Sequence, residues 1–403
     1  MATHGAGTKR ATTTNKAARL LDLSRLTSRA GRTLTGVDRV ERAYLCAFLD
    51  SDVPCYGLVR TQLGYILLGR QGMEALRAAS VDGRMVAGIL PILRKRAVGR
   101  QPKALLSKML RKYLPSGTTY VNTGHSNLSK RVVKALGKLP EARIVVLIHD
   151  TIPLDFPEYQ ADGATERFAK FLKRAYDSAD LLIYNSQQTE QHVQRHASGV
   201  LPRGIVAHLG IDFATAEPGE LPEGLPPKQP FFLTVGTIEP RKAHGVLLDV
   251  WEVLEEELGN ETPTLLICGS RGWKNESVFR RLDALDRSSH VQEVAGLSDG
   301  AVACLMDEAT ALLFPSYAEG FGLPAAEAAH HNTPIVCNDL PIYREFLGNI
   351  PVYASSGDAK LWYQCVMNAY RTALEKEGGV ETEARRWSPP TWEAHFERVL
   401  PLI

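Results

Sequence analysis

The residues best placed to do chemistry lie in one run, Ala311-Leu-Leu-Phe-Pro-Ser-Tyr-Ala-Glu-Gly-Phe-Gly-Leu-Pro-Ala-Ala-Glu-Ala-Ala329. Its apolar start reads as a buried strand ending at Pro315. A loop with Gly320, Phe321, Gly322 and Leu323 follows, and Pro324 stands where proline opens a helix. A strand, glycine loop and helix start expose free backbone N–H groups and the positive end of a helix dipole. That is an anion site suited to a diphosphate. Two carboxylates bracket it. Glu319, in the loop, is placed to accept hydrogen bonds from a sugar, and Glu327, one turn into the helix, from a ribose diol. Taken singly, Glu319 reads equally as a turn residue and Glu327 as a complement to the helix dipole.

A second run, Phe232-Leu-Thr-Val-Gly-Thr-Ile-Glu-Pro-Arg-Lys-Ala-His-Gly245, ends a strand at Val235. Gly236 and Thr237 follow, and Arg241-Lys242 opens the next helix. Ligands of open α/β sheets sit at the carboxyl ends of strands. Two cations there would neutralise a departing diphosphate. A solvated helix-start pair is the plain alternative.

The elements that must position these residues follow from the pattern. Short apolar runs such as Arg19–Leu23, Ile144–Ile148, Leu181–Tyr184, Phe231–Val235, Thr264–Cys268 and Ala311–Phe314 alternate with amphipathic helical stretches. Such alternation predicts α/β folding with parallel sheets. The chain has 403 residues, 44% hydrophobic and 23% charged, which fits two globular domains. Residues 216–230 hold five prolines, two glycines and three glutamates, and read as a linker. The expected division is a disordered tail (1–17), an N-terminal Rossmann-like domain (18–215), the linker, a C-terminal Rossmann-like domain carrying the anion site (231–386), and a final helix (387–403) packing back on the first domain. Six scattered cysteines read as free thiols. No apolar run approaches the roughly 18 residues of a membrane span. G-x-G-x-x-G, Walker A, H-E-x-x-H and G-x-S-x-G sequences are missing, which argues against dehydrogenase, P-loop, zincin and hydrolase chemistry. No D-x-D pair stands in a loop, so no metal is expected at the phosphates.

The P-S-x-x-E-G-F-G-L-P-x-x-E-A and V-G-T-I-E-P-R-K wording resembles the large family of retaining GT-B glycosyltransferases that includes bacterial mannosyltransferases. Val145-Val-Leu-Ile-His-Asp-Thr-Ile-Pro-Leu154, Asn185-Ser-Gln-Gln and Val206-Ala-His-Leu-Gly-Ile-Asp212 look like the same family. The resemblance implies two Rossmann-like domains facing across a cleft. It implies that Glu319 faces the donor sugar, Glu327 the ribose, Arg241 and Lys242 the diphosphate, and that His149 lies near the reacting centre. Read alone, His149 is as well explained by a structural His-Asp turn. Gly269-Ser-Arg271 and Ala295-Gly-Leu297 follow strands that flank the nucleobase in that family. Gly36, in Thr35-Gly-Val-Asp-Arg-Val40, corresponds to a loop on the acceptor side. Many relatives carry Arg where this chain has Thr237, so diphosphate neutralisation rests on Arg241 and Lys242. The implied activity is metal-independent transfer of a hexosyl unit with retention, the donor being GDP-mannose or a UDP-sugar and no cofactor being needed. The implied acceptor is a glycan or lipid-linked glycan in surface polysaccharide assembly. A GT-B-shaped epimerase and a non-catalytic sugar-nucleotide-binding subunit are the alternatives.

Net charge is +2, but thirteen Lys or Arg lie between Asp82 and Glu141 with no acid among them. Within 84–114, Leu105, Leu106, Met109, Leu110 and Leu114 interleave with cations at near-helical spacing. A basic amphipathic helix of this kind suits an anionic membrane surface, with the enzyme cytoplasmic and peripheral. The plain alternative puts the same leucines in the core. Nucleic acid is not an expected partner, since no recognition module accompanies the charge.

Overall fold

The computed structural model describes residues 17–81, 83–286, 289–376 and 387–403. The expected tail therefore lies, but for Ala17, outside the described residues. Two large sheets organise the chain. The first runs, in spatial order, Arg203–Val206, Leu181–Tyr184, Arg143–Ile148, Thr119–Asn122, Arg19–Asp22, Cys55–Arg60, Gly64–Leu68 and Ala97–Pro102. Its first six strands are parallel, and Gly64–Leu68 and Ala97–Pro102 add an antiparallel edge. The second runs Val291–Val294, Thr264–Cys268, Phe231–Val235, Ala311–Phe314, Ile335–Cys337 and Val352–Tyr353, parallel throughout. The sequence patterning did not mark Cys55–Arg60, Gly64–Leu68, Ala97–Pro102 or Thr119–Asn122 as strands.

Each sheet starts at a central strand and grows outward in both directions. The order therefore reverses between Arg19–Asp22 and Thr119–Asn122 in the first, and between Phe231–Val235 and Ala311–Phe314 in the second. Crevices open at such switch points, at the strands' carboxyl ends. Those ends carry Asp22 and Thr123 in one half, and Gly236 and Pro315 in the other.

Strand side chains alternate between faces, and the core divides accordingly. Phe232, Leu265, Ile267 and Leu313 face Trp251 and Trp362 on the outer side of the second sheet. Leu233, Leu266, Leu312 and Phe314 face inward, in one apolar cluster with Leu21, Val121, Val145 and Ile183 of the first half. Each such leucine contributes about 1.5–3 kcal/mol by leaving water. The helix Trp392–Val399 lies against the first half, where His395 Nε2 meets Tyr44 Oη at 2.8 Å. The proline-rich segment 216–230 is not a bare tether, because Glu217 N–H donates to Gly300 O at 3.2 Å.

The basic stretch departs from expectation. Residues 84–114 form a short strand, the helix Ile89–Lys95, the edge strand Ala97–Pro102 and the helix Leu106–Tyr113. Leu106, Met109, Leu110 and Leu114 are buried in the first half's outer core. The amphipathic face is thus spent on the core, and only Leu105 of that set stays exposed. Among the described residues no helix is long and apolar enough to cross a membrane.

Candidate donor site

The second half's switch point brings the expected cations onto the expected carboxylate. Arg241 and Lys242 sit in a 3-10 turn, Pro240–Lys242, ahead of the helix His244–Leu258 and not within its first turn. Lys242 Nζ lies 2.5 Å from Glu319 Oε1, and an Arg241 terminal nitrogen lies 3.0 Å from Glu319 Oε2. Arg241 also binds Glu239, at 2.7 Å, and donates to the Ala318 carbonyl at 2.9 Å. Gly236 leaves room for the lysine, since a Cβ there would stand 3.3 Å from Lys242 Nζ. The ammonium lies 4.5 Å from the centre of the Phe314 ring, a cation–π contact.

All three charged groups are largely buried. Burial opposes ionisation of Glu319, yet the Arg241 and Lys242 charges outweigh it and bring the carboxyl down to about 2. Burial likewise lowers Lys242, against the pull of Glu319. Arg241 also loses hydration, but Glu319 and Glu239 hold its proton more firmly than usual. Neutralising Glu319 would therefore leave two buried cations short of an anion, which is the electrostatic condition for receiving one.

The helix Leu323–His330 begins beside this cluster, with Gly322 as its left-handed N-cap at φ +89°. A Cβ at Gly322 would stand 2.5 Å from Tyr343 Cε1, so both backbone and packing require glycine here. The Phe321 ring turns away and stacks on Phe346, 4.8 Å between centroids. Only its backbone is left to face a ligand. Gly269 sits against the neighbouring strand end, where a Cβ would come within 1.9 Å of Gly236 O. Thr237 is exposed at that edge. Leu297 is half-buried, one residue before Ser298, the N-cap of the helix Asp299–Glu308. Arg271 is committed elsewhere, 2.7 Å from both Asp283 and Glu293.

The first half closes over this site. Asn185 Nδ2 donates to the carbonyls of both His149, at 2.8 Å, and Gly320, at 3.1 Å. One amide thus joins the loop after Arg143–Ile148 to the loop carrying Glu319. A Cβ at Gly320 would stand 3.0 Å from Asp150 Oδ2. His149 is buried, with its Nε2 2.6 Å from Thr123 O, so it donates from that nitrogen as a neutral imidazole. Burial drives its pKa down to about 4. Burial also raises Asp150, against the opposing Arg241 charge. Gly36 begins the helix Gly36–Asp50, capped reciprocally by Thr35 and Asp38, and a Cβ on it would lie 3.3 Å from Leu323 Cδ1. Glu327 Oε1 lies 3.4 Å from a nitrogen of Arg39 on the same helix.

Sequence reasoning missed Asp150, Arg39, Asp299 and the bridging role of Asn185. Asp150 follows His149 directly and was the most accessible of these. Arg39 and Asp299 are 260 residues apart and only the fold joins them.

Two Rossmann-like sheets whose switch points face each other across a cleft define the GT-B glycosyltransferase architecture. The structure of Anabaena HepE in complex with UDP and glucose has this fold and matches with a TM-score of 0.62, over 95% of each chain at 15% identity. Residues 221–350 match the Glycosyl transferases group 1 family and residues 122–205 the Glucosyltransferase 3-like N-terminal domain. The chain is similar to the serotype-specific mannosyltransferase WbdA of Escherichia coli, 26% identical over 95% of this chain and 45% of that protein. It is also similar to the O-antigen chain mannosyltransferase RfbU of Salmonella typhimurium, 30% identical over 35% of this chain and 38% of that one. The chain spans about half the length of the WbdA proteins it matches.

Proposed function

We propose that this chain transfers a hexosyl unit, mannosyl in the first instance, from a nucleoside diphosphate sugar to a glycan or lipid-linked acceptor in bacterial surface polysaccharide assembly. The observation that carries this reading is the convergence of Arg241, Lys242 and Glu319 beside the glycine-capped helix start. In this reading the diphosphate takes the cations and the helix N–H groups, and Glu319 turns to the donor sugar. Glu327 takes the ribose. The bond from the anomeric carbon to the phosphate oxygen breaks, and the acceptor hydroxyl bonds to that carbon on the same face. The acceptor proton passes to the leaving phosphate oxygen, giving retention without a separate general base. Fixed cations stabilise the developing charge, so a metal has no assigned role. The names of WbdA and RfbU favour a mannosyl donor and disfavour the epimerase and non-catalytic alternatives.

Thermal shift against GDP, UDP, GDP-mannose and UDP-glucose tests donor choice, because a ligand that binds only the folded state raises Tm. Transfer or donor hydrolysis that vanishes in Glu319→Ala and Lys242→Ala supports the reading. Turnover surviving removal of both Arg241 and Lys242 would overturn it.

We also place the acceptor side near an anionic membrane surface. The support is the acid-free run of thirteen cations, beside which Val86, Ile92, Val98 and Leu105 remain exposed. Flotation with anionic liposomes should recover the wild type and lose a protein with Arg94, Lys95 and Arg96 neutralised. Equal partitioning of the two would count against membrane contact.

A further inference from the structure

We propose that Arg39 is a positioning residue for the donor: reaching across the cleft, it holds the Glu327 carboxylate aimed and ionised for a ribose diol, so that nucleotide binding and closure of the two halves become one event. This rests on the donor reading above and extends it to a residue of the opposite half.

Arg39 lies in the first turn and a half of the helix Gly36–Asp50, which belongs to the first half. Its guanidinium spans two acids of the second half, Asp299 Oδ1 at 2.7 Å and Glu327 Oε1 at 3.4 Å. A planar fork with donors on two nitrogens suits this double reach, and a lysine would not reproduce it. Asp299 opens the helix that follows Leu297 and Ser298. Glu327 lies one turn past the Gly322 cap. Arg39 therefore touches both the ribose carboxylate and the helix beside the expected nucleobase loop. Its helix start is pressed to the same place, since Gly36 faces Leu323.

The charges around Glu327 explain what Arg39 does. Burial pushes the Glu327 carboxyl above its ordinary range, and Arg39 is the largest opposing influence. Asp299 adds to the upward push, and His331 opposes it more weakly. His331 is itself tied to Asp307 at 2.6 Å. Without Arg39, Glu327 would be a half-buried acid beside a second acid, and its proton would be retained to higher pH. A protonated carboxyl no longer accepts on both oxygens, so it holds a diol less well.

The test measures donor KM from about pH 5.5 to 8.5 in the wild type, Arg39→Met, Asp299→Asn, and Arg39→Met combined with Glu327→Gln. The methionine keeps the apolar stem. The wild type sets the reference slope, since burial already raises Glu327 with Arg39 in place. In Arg39→Met, KM should rise at least about fivefold from the alkaline to the acid end, with kcat at saturating donor changed far less. The added Glu327→Gln should abolish that slope. Asp299→Asn breaks the shorter of the two contacts but removes a like charge from Glu327, so its profile should be no steeper than the wild type's. An Arg39→Met profile no steeper than the wild type's would overturn the proposal. So would Asp299→Asn reproducing the Arg39→Met slope, since Arg39 would then be a strut between the halves. If Arg39→Met does not fold, Arg39→Lys replaces it. A higher KM with a profile no steeper than the wild type's supports the proposal there, and an unchanged KM overturns it. A wild type that binds no nucleoside diphosphate in thermal shift removes the donor reading and this inference together.

Discussion

The two halves place buried charges at equivalent points of their sheets and use them in opposite ways. In the second half, one carboxylate, Glu319, faces two cations, of which Arg241 also holds Glu239. In the first half, Asp22, Asp38 and Glu41 are all buried beside the strand ends. Asp22 accepts from Tyr120, Asn127 and the Ser24 N–H. Asp38 binds Arg25 and Arg29 and caps its own helix. Glu41 accepts from the Leu26 N–H. The first half thus spends its acids on loop geometry, while in the second Lys242 pairs with Glu319 and Arg241 divides itself between Glu319 and Glu239. An arriving diphosphate can displace a single carboxylate, but not a web of backbone hydrogen bonds.

Removing a cation should separate the halves most sharply. Lys242→Ala is expected to lower turnover by about a hundredfold to a thousandfold, the range for losing a preorganised donor to developing charge. Tm should change little in comparison, because the substitution also relieves burial of an ammonium. A steady-state assay beside a melting curve checks both. Gly322→Ala should do the reverse. A Cβ 2.5 Å from Tyr343 on a residue at φ +89° should cost about 2–3 kcal/mol in urea denaturation. Activity should fall only as the helix start is displaced.

The same contrast governs what the sequence could reveal. The site of the second half was legible because its members fall in two short runs at the ends of neighbouring strands. Glu319, Gly322 and Glu327 occupy one strand–loop–helix unit, and Arg241 and Lys242 follow the neighbouring strand. Strand ends and helix starts dictate their meeting. The first half's strands were read less completely: Gly64–Leu68 is buried throughout and shows no alternation, and Thr119–Asn122, parallel to both neighbours, is only four residues long. Its buried acids were illegible for another reason. Asp22, Asp38 and Glu41 look like surface residues in sequence, and only the burial of their helix and loops shows otherwise. The amphipathic pattern from Leu105 to Leu114 was real, but periodicity does not say whether core or bilayer covers the apolar side.

Acid should act on the halves with opposite sign. The Glu319 pKa is depressed to about 2, so its contribution to stability is full above the unfolded value of about 4.3 and is lost as pH falls toward 2. The Glu41 carboxyl is raised well above its ordinary value, by burial first and then by the charge of Asp22. Its contribution is full below the unfolded value and is lost as pH rises toward the folded one. Glu319→Gln should flatten the acid limb of a Tm–pH curve, and Glu41→Gln the decline above the unfolded carboxyl value. Exchange of these two outcomes would break the comparison.

The smallest expected effect tests whether the halves meet as closely as the contacts imply. A methyl group at Gly36 would lie 3.3 Å from Leu323 Cδ1, a contact relieved by a shift of a few tenths of an ångström. Gly36 starts a helix with a β-region cap, and its φ is not among the positive ones, so alanine fits the backbone. Stability should therefore rise slightly or hold, within about 0.5 kcal/mol. The strain falls instead on closure, because Leu323 opens the helix that is to receive the diphosphate. Donor KM should rise about twofold to threefold, which at RT ln 3 is about 0.6 kcal/mol, with Tm unchanged. If Gly36→Ala leaves donor KM as it was, the helix start of the first half does not press on the donor loop during turnover.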